Sequence, residues 1–239
     1  MASPTEIEPG LVLQGFIPPL RLANFKLIAF DMDSTLINIE CIDEIADAAG
    51  RKAEVAAITE AAMRGEIADY KESLRQRVRL LSGVRVEQMR QVLDHRLQLN
   101  PGAAALVRAC QAAGLETLLV SGGFTFFTDV VRDRLRIDWT RSNVLEVTEG
   151  VLTGRMVDQP WGDICDGEEK RRMLLQTCAD MGIAPTQAIA MGDGANDLPM
   201  MGAAGLSVAF HAKPAVRAKA MVAINEGGLD RLLEVMRLD

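Results

Sequence analysis

Five short apolar runs, KLIAF, LETLLV, QAIAM, GLSVAF and MVAIN, recur along the chain from Phe25 onward, with helix-periodic segments between them. Apolar runs without polar alternation suit strands that are covered on both faces. Strands of that kind separated by helical segments predict a parallel sheet with crossover helices, an α/β fold. At 239 residues and 49% hydrophobic content, the chain has ample material for such a core.

One stretch breaks the rhythm. From about Asn38 to Asn100 the sequence is charged and helix-periodic without a convincing strand, and it is too long for an ordinary connection. It reads as a small helical insert (38–97) lying over a core formed by 23–37 and 98–239. Residues 1–22 hold several prolines and little periodicity, so they are expected to form a leader packed on the surface or partly disordered. Ser142 to Val157 has strand-like runs on either side of Glu149-Gly150, in the manner of a hairpin, and reads as an edge ribbon without chemistry.

Charge and composition narrow the partners. A net charge of −7 offers no basic field for nucleic acid or an anionic membrane, so an anionic ligand has to be held by local geometry. Cys41, Cys110, Cys165 and Cys178 form no C-x-x-C pair, as expected of buried thiols in a reducing compartment. No segment has the apolar length of a membrane span, and the N-terminus lacks a signal pattern, so a soluble cytoplasmic protein is expected. Only two histidines are present, which points catalysis toward carboxylates.

In open α/β sheets ligands bind at the carboxyl ends of the strands. The first run ends in Asp31-Met32-Asp33-Ser34-Thr35, the second in Ser121-Gly122-Gly123, and AIAM in Gly192-Asp193-Gly194-Ala195-Asn196-Asp197. Taken singly, each fits an ordinary turn or helix cap. Together they would ring one pocket with carboxylates, a hydroxyl and close-approach glycines. Asp31 and Asp193 supply the paired hard oxygens that Mg²⁺ takes.

Two cations point inward by helical spacing. Lys170 shares a face with Leu174, Thr177, Cys178 and Met181, and it stands at the start of its helix, where acids are preferred. A buried anion explains that placement, and a lysine snorkelling at the core edge is the bland alternative. In the insert, Arg77 falls with Tyr70, Leu74, Val78 and Leu81, whereas Arg75 and Arg79 point elsewhere. Arg77 could equally serve a structural ion pair. Glu40, Asp43, Glu44 and Asp47 lie opposite the apolar stripe of the first insert helix and read as a solvated acidic face.

D-x-D-S-T, the N-x-E-x-I-D-E-I-A run, L-R-x-R-V, S-G-G-F, the helix lysine and G-D-G-A-N-D together resemble the haloacid dehalogenase superfamily of phosphohydrolases. Within it they are similar to the branch that acts on O-phospho-L-serine. The resemblance runs from about Lys26 to the C-terminus. It implies a Rossmann-like core with a small helical cap inserted after the first strand, with Mg²⁺ as cofactor. It makes Asp31 the nucleophile that becomes an aspartyl phosphate and Asp33 the acid and base. It places Asp31, Asp193 and the Asp33 backbone carbonyl on the metal. Ser121, the Gly122 amide and Lys170 would hold the phosphoryl oxygens, Asn196 would assist, and Asp197 and Gly123 would support the loops. Glu40 would receive the substrate ammonium and Arg77 its carboxylate, with Met63 and Tyr70 as the apolar wall. About two dozen residues precede the first strand, so an N-terminal regulatory domain is not expected.

Three rival readings remain open at this point: a phosphotransferase passing the same phosphoryl group to a second alcohol, a broad small-molecule phosphatase, and a non-catalytic phosphate-binding module. The absence of a G-x-x-x-x-G-K-[ST] loop or a G-x-G-x-x-G fingerprint after the first strand argues against the usual nucleotide sites.

Overall fold

The computed structural model describes residues 4–63, 66–67 and 69–237. The chain opens with three short strands, β1 (Thr5–Glu8), β2 (Leu11–Leu13) and β3 (Leu20–Arg21), followed by β4 (Leu27–Phe30). Four helices come next: α1 (Cys41–Ala48), α2 (Lys52–Met63), α3 (Tyr70–Arg79) and α4 (Val86–His95). The chain continues through α5 (Ala103–Ala112), β5 (Glu116–Phe124), α6 (Thr125–Leu135) and a hairpin, β6 (Trp139–Thr148) and β7 (Val151–Val157). Then follow α7 (Gly167–Asp180), β8 (Ala188–Gly192), α8 (Leu198–Ala203), β9 (Leu206–Phe210), α9 (Pro214–Arg217), β10 (Val222–Ile224) and β11 (Met236–Arg237).

All five apolar runs are strands of one nine-stranded sheet, ordered β1-β2-β10-β9-β8-β4-β5-β6-β7. Strands β10 to β6 in that order run parallel. Every residue of β4 is buried because helices cover both faces of the sheet. Ile28 and Phe30 pack into one apolar cluster, Leu27 and Ala29 into the other. Strand β4 lies between β5 and β8, the two strands to which the chain goes on opposite sides. Its carboxyl end is therefore the topological switch point of the sheet.

The helical insert is α1 to α4, and its far end is fixed by the hairpin. Gly83 N donates to Leu152 O at 2.9 Å, Leu152 N to Val84 O at 2.8 Å, and Val86 N to Gly150 O at 2.9 Å. The hairpin turns at Glu149 and Gly150, both with positive φ (51° and 77°), the conformation that a two-residue turn between twisted strands requires. The hairpin is more than an edge ribbon, because the loop between α3 and α4 pairs with its outer strand.

The N-terminal segment, expected either to pack on the surface or to be partly disordered, extends the sheet over residues 5–13: β2 pairs antiparallel with β10, and β1 pairs with β2. Leu11 and Leu13 are buried against the core, whereas β1 is exposed throughout. Short polar strands at a sheet edge lack the apolar density that made the central strands legible. Leu11→Ala is expected to cost about 2–4 kcal/mol in urea unfolding, the range for a large-to-small change at a filled core position. A loose arm would show no change.

Candidate active site

Asp31 N continues the β4–β8 ladder by donating to Met191 O at 3.0 Å. The chain then turns back on itself, closed by Ile37 N donating to Met32 O at 3.1 Å. Ser34 sits in the left-handed region (φ 55°), which is uncommon for a residue with a Cβ and is held here by local bonds. Its N–H reaches Ile39 O at 3.2 Å, and its hydroxyl donates to Glu40 Oε1 at 2.6 Å. The same turn lets Asp33 Oδ2 accept from Cys41 N at 3.0 Å, at the opening of α1. Burial first and the nearby Glu40 charge second push Asp33 up to about 7. An acid in that range can both give and take a proton near neutral pH.

Behind this loop lies a buried charge cluster. Lys170, fully buried in the first turn of α7, places Nζ 2.6 Å from Asp31 Oδ1 and 2.7 Å from Asp197 Oδ1. Its helix opens there because Asp166 caps it, accepting from Glu169 N at 2.9 Å. Burial alone would strip the Lys170 proton, but Asp197 and Asp31 outweigh it and the pKa rises. Asp197 Oδ2 accepts from Asp193 N at 3.1 Å and Gly194 N at 2.9 Å, so both its oxygens are engaged. Gly192 admits this contact, since a Cβ there would overlap the Asp197 carboxyl. Thr35, the last residue of D-x-D-S-T, donates to Asp193 Oδ1 at 3.3 Å.

Carboxylate oxygens of Asp31, Asp193 and Asp197 lie within 4.8 Å of one another. Three carboxylates face a single ammonium, and burial raises Asp31 well above the ordinary carboxylate range and Asp193 to about 7. The two negative charges left over suit a divalent cation. With Asp197 engaged by Lys170 and two amides, Asp31 and Asp193 are the side chains suited to hold it. The Asp33 carboxyl stands apart from this cluster, bonded to Cys41.

Ser121, Gly122 and Gly123 end the inner part of β5 beside this cluster. Ser121 Oγ accepts from Gly123 N at 2.9 Å. Gly122 O accepts from Asn143 Nδ2 at 2.8 Å, and Asn143 Oδ1 takes the amide of Cys165 at 2.8 Å. Asn143 is buried within the hairpin. Nothing in the residues around it marked it out. The Tyr70 hydroxyl occupies the space where a side chain at Gly122 would project, so the insert rests directly on this glycine.

These residues surround a cavity of about 670 Å³ between insert and core. Its insert side presents Glu40, Asp43, Tyr70 and Arg77, and its core side Asp31, Asp33, Ser121, Gly122, Gly123, Asp193 and Asn196. Arg77 Nε and Asp43 Oδ1 are buried there without partners. The acidic face of α1 is thus divided. Glu44 and Asp47 pair with Arg96 at 2.6 and 2.5 Å, while Glu40 and Asp43 turn to the cavity. Helical periodicity alone could not distinguish a water-filled cleft from bulk solvent. Burial raises the Glu40 pKa, opposed first by the Ser34 bond. Met63 closes α2, but its side chain lies outside the described residues. Arg75 points away from the cavity to Asp163, which Lys71 also meets at 3.0 Å.

Residues 28–202 match the model of the haloacid dehalogenase-like hydrolases. The chain belongs to that family. It is 78% identical to phosphoserine phosphatase of Polaromonas sp. (strain JS666) over 98% of this chain and 99% of that protein. It is 76% identical to the phosphoserine phosphatase of Albidiferax ferrireducens over the same shares. Among solved structures, a phospho-aspartyl intermediate analogue of phosphoserine phosphatase superposes with a TM-score of 0.81 at 36% identity, covering 89% of this chain and 99% of the other. The family's mixed α/β fold, with a mostly parallel sheet, is the one described above.

The Tyr70–Gly122 contact has a direct test. Gly122→Ala would collide with the Tyr70 hydroxyl and is expected to lower kcat/KM for an aryl phosphate on the order of tenfold to hundredfold. Adding Tyr70→Phe removes the colliding oxygen, leaving the ring carbon at an ordinary 3.4 Å, and should restore much of the loss. Equal activity of the single and double variants would show that the contact is not the cause.

Proposed function

We propose that the chain hydrolyses O-phospho-L-serine to L-serine and phosphate through an aspartyl phosphate, with Mg²⁺ as its cation. The observation that carries this reading is one cavity holding Asp31 and Asp33 at its core end and, at its insert end, Glu40 and an Arg77 whose buried Nε has no hydrogen-bond partner and whose charge acts on Glu40 and Asp43. The activity of the near-full-length relatives supports it.

An Asp31 oxygen attacks phosphorus as the phosphorus–oxygen bond to serine breaks, and Asp33 gives its proton to the departing serine oxygen. Asp33 then takes a proton from the water that attacks the aspartyl phosphate, which releases phosphate and restores Asp31. Ser121, the Gly122 amide and Lys170 hold the phosphoryl oxygens, with Asn196 assisting, and they are preorganised before chemistry because their own bonds fix them. Asp197 holds Lys170 and the Asp193 loop in place. At the insert end Glu40 receives the ammonium and Arg77 the carboxylate, with Tyr70 as the wall. Asp31, Asp193 and the Asp33 carbonyl would hold Mg²⁺, which would supply positive charge to keep Asp31 ionised and offset the phosphoryl oxygens. The four cysteines are free and buried, in keeping with a cytoplasmic setting.

Phosphate release across L-phosphoserine, phosphothreonine and sugar phosphates tests the substrate, and equal rates on all would reject it. Arg77→Ala is expected to lower kcat/KM for phosphoserine about a hundredfold or more while changing an aryl phosphate only a few-fold, since a charge-assisted pair of this kind is worth about 3 kcal/mol. Asp31→Asn should abolish turnover. In thermal melts Mg²⁺ is expected to raise the midpoint of the unmodified protein, and Asp193→Asn should remove that rise. A rise that persists in Asp193→Asn would place the ion elsewhere.

A further inference from the structure

The mouth of the cavity holds one cation that the roles above leave unused. Lys213 follows β9, the next parallel strand beyond β8, and lines the same cavity as Asp193, Gly194 and Asn196, which follow β8. It is exposed, and among the described residues it forms no ion pair and no side-chain hydrogen bond.

The charge distribution gives this position a task. Asp31, Asp33, Glu40, Asp43 and Asp193 all line the cavity. Lys170 is enclosed and shared between Asp31 and Asp197, and Arg77 stands at the insert end. The chain as a whole carries −7, so nothing at long range draws an anion in. With a cation on Asp31 and Asp193, the carboxyl groups of Asp33, Glu40 and Asp43 still line the cavity that a phosphate dianion must enter, and Lys213 is the cavity-lining cation on the core side. A free lysine on a flexible stem at a rim acts mainly on encounter and orientation.

We propose that Lys213 captures the phosphoryl end of the substrate at the mouth, on the Asp193–Asn196 side. The substrate then enters phosphate-first, and inorganic phosphate, the product, is held by the same charge. The inference rests on the phosphomonoesterase reading above, but it concerns the phosphoryl group and not the amino-acid end. It therefore predicts the same behaviour for phosphoserine and for an aryl phosphate.

The test compares the unmodified protein with Lys213→Met, Lys213→Arg and Lys219→Met, the last an exposed lysine that does not line this cavity. Each is assayed on phosphoserine and p-nitrophenyl phosphate at low and high salt, with inorganic phosphate as inhibitor. Lys213→Met is expected to lower kcat/KM about threefold to tenfold at low salt on both esters, through KM and not kcat. It should weaken phosphate inhibition in parallel, and the loss should shrink at about 0.5 M salt, where screening is strong. Lys213→Arg should keep most of the unmodified kcat/KM and phosphate inhibition, and Lys219→Met should show no loss. An unchanged kcat/KM, a loss equal at both salt concentrations, or an equal loss in Lys219→Met would overturn the proposal. If the unmodified protein cleaves the aryl phosphate but not phosphoserine, the substrate reading fails and Lys213 is judged on the aryl phosphate alone.

Discussion

An ammonium group enclosed in protein needs anionic partners, and here Lys170 has two, Asp31 and Asp197, within 2.7 Å. Removing both would leave an uncompensated ammonium in a medium that solvates it poorly. That requirement ties three distant parts of the chain together: the end of β4, the first turn of α7 and the loop after β8. Asp197 also takes the amides of Asp193 and Gly194, so the loop bearing Asp193 is set by the same charge. The excess of carboxylate over ammonium is what makes the cluster receptive to a divalent cation.

Around this centre the scaffold is rigid where the chemistry needs it. The strand ends are fixed by ladder hydrogen bonds within a doubly covered sheet. The insert is held at its far end by the hairpin and along α3 by the Asp163 pairs with Lys71 and Arg75, so Tyr70 and Arg77 face the cavity from a braced helix. Exposed pairs of this kind contribute little singly, but they fix which face of α3 turns inward.

Much of the fold was legible because the five central strands are apolar on both faces and three of them are closed by residues unsuited to a core. Ser121, Asp193 and Asp197 could be singled out for that reason, and Lys170 by the apolar face it shares on its helix. Lys170 in particular conflicted with its own helix's polarity. Asn143, Asp43 and Lys213 could not be recognised by periodicity. Asn143 acts by bonding two backbone groups far apart in sequence, Gly122 and Cys165, and no local pattern records that. Lys213 does follow an apolar run, so the same strand-end inspection applied to GLSVAF would have reached it. The N-terminal strands escaped because short edge strands carry weak patterns.

The amino-acid sequence by itself determined the parallel sheet, the helical insert after the first strand, and the residue types gathered at three strand ends. Hydrophobic periodicity and turn chemistry are local properties, so they are written along the chain. Tertiary structure alone decided which carboxylates share a charge and which are engaged elsewhere: Asp33 with the Cys41 amide, Asp197 with Lys170, Glu44 and Asp47 with Arg96. It also turned Glu40 and Asp43 from a solvated face into a cavity wall. The reason is physical: the ionisation and pairing of a carboxylate depend on the groups within a few ångströms of it, and in a folded chain those come from remote segments.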